Sequence, residues 1–366
     1  MNIITKSSCY IWLSIICCIT SCKQKPHFAY CIKEFELEDD TITINGKPLD
    51  LKVSDDNLTT VLVDSFLVIQ EECVDGFLGV YNINNLTRKA TLCPKGRAKN
   101  EFSNPFYLLS QAYIKDSCIF LTAVDKDCYA KEINLTQSMQ RGITIVSAVS
   151  DCPSYNDNHV FLFIDNDINK QFVNIYGEET MEPKHRNAEY SIINTKEKKK
   201  RALNVFPRPM DSDEESITNY AGGAMYKHPN KNLFVQECCF MDYLLFFDID
   251  ADTAFAVHVS GTPTFDDYAP DGRTITFSNG STVTSNYVFA IHRTDKIDIN
   301  GKKTRERRLL VFDWNGNLIA NAIMNPGANQ IVYDEKMKTL YGFDFSVGER
   351  ILHKYDISKI IPETTR

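Results

Sequence analysis

From Val61 onward the apolar residues come in short bursts divided by Asn, Asp and Gly turns. Val61-Leu-Val-Asp-Ser-Phe-Leu-Val-Ile69, Phe77-Leu-Gly-Val-Tyr81, Val160-Phe-Leu-Phe-Ile164 and Phe172-Val-Asn-Ile-Tyr176 each read as a strand. Tyr341, Phe343 and Phe345 alternate with Leu340, Gly342 and Asp344, the period of two that puts successive side chains on opposite faces. Leu244-Leu-Phe-Phe247 and Leu309-Leu-Val-Phe312 are continuously apolar, as suits strands covered on both faces. Between the bursts there is no set of amphipathic helices, which excludes doubly wound and barrel α/β folds.

A marker recurs along the chain: an apolar residue, then Asn or Asp, usually then another apolar one. It stands at Tyr81-Asn82-Ile83, Ile133-Asn134-Leu135, Ile193-Asn194-Thr195, Phe247-Asp248-Ile249, Phe312-Asp313-Trp314 and Tyr355-Asp356-Ile357. The intervals are 52, 60, 54, 65 and 43 residues. A short polar side chain at the end of a buried strand caps the turn that follows by bonding nearby backbone. Spacing of this size is what four-stranded propeller blades produce. After Asp313, Trp314-Asn-Gly-Asn-Leu318 is a hairpin turn leading to an outer strand.

Residues 358–366 are too few for a further blade, while residues 28–37 read as an extra strand ahead of the first repeat. The expectation is therefore an all-β chain in which residues 28–366 form a six-bladed β-propeller closed by an amino-terminal strand. In it, residues 28–37 pair with the blade of residues 330–357, removing an exposed sheet edge.

The first residues carry a different signal. Lys6 precedes sixteen uncharged residues, Ser7 to Cys22, short of the ~20 needed to span a membrane and in keeping with a signal-peptide core. Ile19-Thr20-Ser21-Cys22 resembles the bacterial lipobox, in which the cysteine is lipidated and becomes the mature amino terminus. An ordinary secretory signal or a buried strand are the alternatives. The lipobox reading makes residues 1–21 a lipoprotein signal peptide, Cys22 the lipidation site and residues 22–27 a short tether. Lys23-Gln-Lys-Pro-His27 lacks the acidic tract that resembles a surface-export signal in lipoproteins of gut Gram-negatives. The expected location is the cell envelope, at the outer membrane facing the periplasm.

Charge narrows the partners. Forty Lys and Arg against 48 Asp and Glu leave a net charge of −8, which argues against nucleic acid. Eight of the twelve cysteines follow the signal region, and none makes a Cys-x-x-Cys pair. An oxidising compartment permits disulfides, but small apolar strand residues are the favoured reading. Cys238 and Cys239 read as strand neighbours facing opposite ways.

Val61 to Ile69, Val80-Tyr81-Asn82 and Gly96-Arg-Ala-Lys-Asn-Glu-Phe102 together resemble the TolB-like six-bladed propeller lipoproteins of anaerobic gut Gram-negatives. Gly96, Glu101 and Phe102 match the Gly-x-Gly-Pro-Gly-Glu-Phe pattern of an interblade loop in that family, and Ala98-Lys99-Asn100 replace its Gly-Pro-Gly. The resemblance implies fold rather than activity.

Candidate chemistry is sparse. Asp165-Asn-Asp167-Ile-Asn169 and Asp248-Ile-Asp250-Ala-Asp252 have the flavour of calcium loops. The first has Lys170 where an EF-hand needs glycine, the second Thr253, and both read as hairpin turns. Asp266, Asp267 and Asp271 form a third acidic group. His159, His185, His228, His258 and His292 show no ligand spacing, and there is no Gly-x-Ser-x-Gly elbow. Gly222-Gly223 marks a close backbone approach. Lys196-Glu-Lys-Lys-Lys-Arg201 and Asp211-Ser-Asp-Glu-Glu-Ser216 read as an interblade excursion. The sequence thus offers no catalytic residue, cofactor or metal ligand. The functional expectation is a lipid-anchored, non-enzymatic propeller that binds a peptide, glycan or protein. A glycan lyase or hydrolase with a channel-mouth site is the alternative.

Overall fold

The structure is a computed structural model that describes residues 28–38, 41–53, 59–107, 111–152, 159–175, 189–206, 222–265, 276–277, 279–297, 303–344 and 350–361. The signal segment, Cys22, His185 and the acidic groups at 211–216 and 266–271 lie outside these residues. Two strands come first, β1 (Cys31–Phe35) and β2 (Ile42–Val53). The first antiparallel meander holds β3 (Thr60–Val63), β4 (Phe66–Cys73), β5 (Gly76–Asn82) and β6 (Arg88–Leu92). In the second, β7 (Pro105–Tyr107) and β8 (Tyr113–Lys115) both pair with β9 (Cys118–Asp125), followed by β10 (Tyr129–Asn134) and β11 (Val146–Asp151). The third holds β12 (His159–Phe163), β13 (Lys170–Ile175), β14 (Glu189–Asn194) and β15 (Lys199–Leu203). The fourth holds β16 (Met225–Lys227), β17 (Leu233–Glu237), β18 (Tyr243–Asp248) and β19 (Thr253–Val259).

The fifth meander holds β20 (Thr282–Val283), β21 (Tyr287–Ile297), β22 (Lys303–Asp313) and β23 (Leu318–Asn325). The last is three strands, β24 (Gln330–Asp334), β25 (Thr339–Asp344) and β26 (Arg350–Asp356). Among the described residues the strands make five hydrogen-bonded sheets, the largest of eight strands because β2 joins β23 to β26. The architecture is all-β and propeller-like. A single seven-residue helix, α1 (Leu135–Arg141), interrupts it among the described residues.

Side-chain alternation explains how the sheets stack. Leu245 and Phe247 of β18 enter the core shared with Phe172 of the third meander, while Leu244 and Phe246 enter the core shared with Val288 and Leu310 of the fifth. In β22, Leu310 and Phe312 face the fourth meander, and Leu309 and Val311 face Ile331 and Leu340 of the last. The continuously apolar runs are strands buried on both faces, each such side chain contributing about 1.5–3 kcal/mol. Leu67, Ile69 and Tyr81 of the first meander pack on Val332, Tyr341 and Phe343 of the last. First strands of successive meanders also touch: β12 meets β16, β16 meets β20, β20 meets β24, and β24 meets β3.

All six markers end the third strand along their sheet, and five of them cap the turn beyond it. Asn82 accepts from the Asn84 N–H at 2.9 Å, Asn194 from the Glu197 N–H at 3.0 Å and Asp356 from the Ser358 N–H at 3.0 Å. Asp248 accepts from Asp250 and Ala251, and Asp313 from Asn315 and Asn317. Asn134 caps a helix instead of a turn, accepting from the Gln137 N–H at 2.9 Å, with Gly142 left-handed at the other end.

Several expectations need correction. Val61 to Ile69 is not one strand: Asp64, at φ 53°, and Ser65 turn it into the hairpin of β3 and β4. Residues 28–37 do not pair with the last meander. Their strand, β1, lies parallel on β19 at the outer edge of the fourth. The last meander gains its fourth strand from β2, whose residues 46–53 run antiparallel to β26, while residues 42–45 run parallel to β23. The basic run 196–201 is no excursion. It forms the β14–β15 turn and the edge strand itself, where charge discourages pairing with other chains, and Arg201 reaches Asp252 of the next meander at 2.6 Å. Cys238 and Cys239 follow β17 rather than lying on it, and both are buried thiols.

The loop of Gly96, Glu101 and Phe102 closes on those three residues despite the substituted middle. The Gly96 N–H donates to the Phe102 carbonyl at 3.0 Å and the Ala98 N–H to Glu101 Oε2 at 2.9 Å. A Cβ on Gly96 would collide with that carboxylate. Phe102 is fully buried beneath the Lys131 ammonium, 4.5 Å from its ring centre. Lys131 in turn donates to Asp125 at 3.2 Å, and Asp125 also receives the Ser103 hydroxyl at 2.6 Å.

Candidate functional site

Three turns of the third and fourth meanders converge on a cavity of about 750 Å³. They are the β12–β13 turn with Asp165, the β16–β17 turn with Asn230 and Asn232, and the β18–β19 turn with Asp250. The two acidic turns that read as hairpins are hairpins, yet the fold brings one carboxylate from each to a single amide. Asn232 Nδ2 donates to Asp165 Oδ1 at 2.9 Å and to Asp250 Oδ1 at 3.0 Å. Asn232 Oδ1 accepts the Asp165 N–H at 3.1 Å, so the amide clasps both ends of that residue. Asp165 holds φ 56°, a left-handed conformation that Asp tolerates better than most residues. Lys170 donates to its other oxygen at 3.2 Å. The Asn232 bond first, then Lys170, holds the Asp165 carboxyl below its usual range, against the effect of burial.

Lys227, the last residue of β16, also lines the cavity and is only 4% exposed. Its ammonium donates to the carbonyl of the adjacent His228 at 3.2 Å. Burial lowers its pKa, and the charges of Asp165 and Asp250 oppose that shift without forming an ion pair. His228 itself is fixed by backbone: Nδ1 accepts the Asn230 N–H at 3.0 Å and Nε2 faces the Ser285 carbonyl at 3.1 Å. Those partners assign the neutral tautomer protonated at Nε2.

The other described histidine rings are far from this constellation in role. His292 Nε2 lies 2.6 Å from Asp242 Oδ1, and His258 Nε2 lies 2.9 Å from the Thr262 hydroxyl while stacking on Tyr243. Among the described residues no group of three or more His, Cys, Asp or Glu is arranged to hold a metal ion. A second polar cluster is sealed. Glu237 of β17 accepts the Ser281 hydroxyl and, at 3.3 Å, the Tyr226 hydroxyl, and is 1% exposed. Burial raises its pKa to about 7, against the hydrogen bonds of Ser281 and Tyr226. The close approach expected at Gly222-Gly223 lies beside it, since a Cβ on Gly223 would strike the Glu237 carbonyl.

Lys227 and Asn232 belong to no motif. The available signal was a lysine ending the apolar stretch Met225-Tyr226 just before a His-Pro-Asn turn.

No protein-family profile matches the chain, and no curated protein sequence is similar to it. Among solved structures, one described as an exported protein of Bacteroides fragilis superposes with a TM-score of 0.49 at 10% identity, over 88% of this chain and 98% of that one. Regucalcin, a calcium-binding protein from Agrobacterium tumefaciens, gives 0.39 at 11% identity, over 89% and 97% of the two chains. The WD40 domain of Neurospora crassa Pan2 gives 0.37 at 11% identity, over 83% and 89%. Likeness at this level carries no argument about ligand or activity, and the fold rests on the pairings described above.

Proposed function

We propose that this chain is a lipid-anchored, non-enzymatic binding protein of the cell envelope, a six-bladed propeller of the TolB-like kind whose ligand enters the cavity between the third and fourth meanders. The observation that carries the reading is the cavity itself: hydrogen-bonded turns from two neighbouring sheets bring the buried Lys227, two carboxylates and an amide to one open cleft. Six strand-ending markers, and cores that link the first meander to the last, support six blades with β2 as the closing strand. The lipobox-like Ile19-Thr20-Ser21-Cys22 supports the anchor, and the basic residues after it support the periplasmic face of the outer membrane. A glycan lyase or hydrolase is the second reading, and the buried His292, whose Nε2 lies 2.6 Å from Asp242 Oδ1, is the observation that favours it. The ligand is a peptide, glycan or protein. The test is capture from native envelope extract by the full-length chain beside Ala251→Trp, whose indole would occupy the cavity. Loss of the captured ligand at unchanged melting temperature is expected. Equal capture by both proteins would refute the cavity as the binding site.

A further inference from the structure

We infer that the cavity takes a saccharide bearing a carboxylate, with Lys227 as the residue that selects the acid; the inference rests on the binding role proposed above. Most polar groups of the cavity already have partners. Asp250 spends both oxygens on Asn232, Asp165 divides its oxygens between Asn232 and Lys170, and Asp248 caps its own turn. Lys227 is the exception: its three N–H donors have one acceptor among the described residues, the carbonyl next to it in the chain. Lys227 is 4% exposed, so two idle donors on its ammonium are costly to keep, and the cavity that this residue lines can supply the missing acceptor.

The charge of that acceptor is limited from both sides. An anion gives Lys227 a stronger hydrogen bond than a neutral oxygen does. A dianion such as a phosphate monoester would meet the field of Asp250, which is bonded by the neutral Asn232 amide, as well as that of Asp165, which Lys170 offsets only in part. Lys231 also lines the space, but it is exposed and its charge is screened by water, so Lys227 is the buried ammonium that a single carboxylate balances. The rest of the lining decides what carries it. No aromatic ring borders the space, whereas the carboxylates of Asp165, Asp248 and Asp250 retain lone pairs that accept hydroxyl donors. A polyhydroxylated body matches these acceptors, and an apolar peptide side chain does not. The volume lies within the ~300–1,000 Å³ of small-ligand sites.

The experiment titrates uronic-acid disaccharides of the gluco and galacto series, each beside its neutral counterpart, into the full-length chain by calorimetry. At least one acid should bind, its neutral counterpart at least tenfold more weakly. Lys227→Met should bring the acid to the neutral level while melting as a folded protein, and Lys227→Arg should recover part of the difference. Equal binding of acid and neutral sugars, undiminished binding of the acid by Lys227→Met, or no binding by any acid would overturn the inference. If extract capture still depends on an open Ala251 in those cases, the binding role stands and only the ligand class falls.

Discussion

Replacing Glu237 by Gln should abolish the pH dependence that this one buried carboxyl imposes on stability. The carboxyl is 1% exposed, faces the hydroxyls of Ser281 and Tyr226, and is pushed by burial from the ordinary 4.5 to about 7. A raised folded pKa means that the fold holds the proton more tightly than the unfolded chain. Its stabilising contribution is full below pH 4.5, declines as pH rises from 4.5 to 7, and stays lost above that. At about 1.4 kcal/mol for each tenfold change in proton affinity, the loss is about 3 kcal/mol. Gln is neutral throughout, so the variant lacks this decline. It also loses the Tyr226 acceptor, an offset of about 1 kcal/mol that does not vary with pH. The assay is reversible urea unfolding of both proteins, followed by far-ultraviolet circular dichroism at half-unit steps from pH 4.5 to 8. The stability of Glu237→Gln relative to the parent should climb by about 3 kcal/mol across that range. A difference that stays constant with pH would show that Glu237 is ionised in the fold throughout, and would refute the reasoning.

Cys22→Ala should move the protein from the membrane to the soluble fraction, or stall its maturation; membrane fractionation unchanged by the substitution would remove the anchor from the proposal. Gly96→Ala should cost about 1–3 kcal/mol in urea unfolding, because the new methyl displaces the Glu101 carboxylate from the Ala98 N–H. Deleting residues 42–53 bares the edges of both β23 and β26, whereas deleting residues 31–35 bares only β19. The first deletion should therefore aggregate on size-exclusion chromatography under conditions where the second stays monomeric, and the reverse order would contradict the pairing.

The markers were readable because their interaction is local: an Asn or Asp side chain bonding an N–H two to four residues on leaves a fixed spacing in the sequence. Strand alternation was readable for the same reason. The strand that joins β23 to β26 was not, since Gly46-Lys47-Pro48 looks like a turn. Pro48 is tolerated there because the pairing of β2 with β26 shifts register between Pro48 and Lys52, where a ladder N–H is dispensable. The cavity was hidden by distance along the chain. Asn232 meets Asp165 across 67 residues, and no periodicity records which turns two separate meanders will bring together. The burial of Lys227 was equally unreadable, because it depends on β12 and β16 lying side by side.

The double pairing of β2 has a consequence for the order of synthesis. Asn45 bonds Asn325 across 280 residues, and residues 46–53 take partners that lie later still. At ~5–20 residues per second, a ribosome needs roughly a quarter of a minute to a minute to make the intervening chain. Throughout that interval β2 exists without either neighbour, since it precedes both in the chain. The clasp is thus made first and fastened last, after translation has delivered β26. A chain that stops short of residue 350 has no β26, and residues 46–53 of β2 then remain an unpaired segment available to other copies.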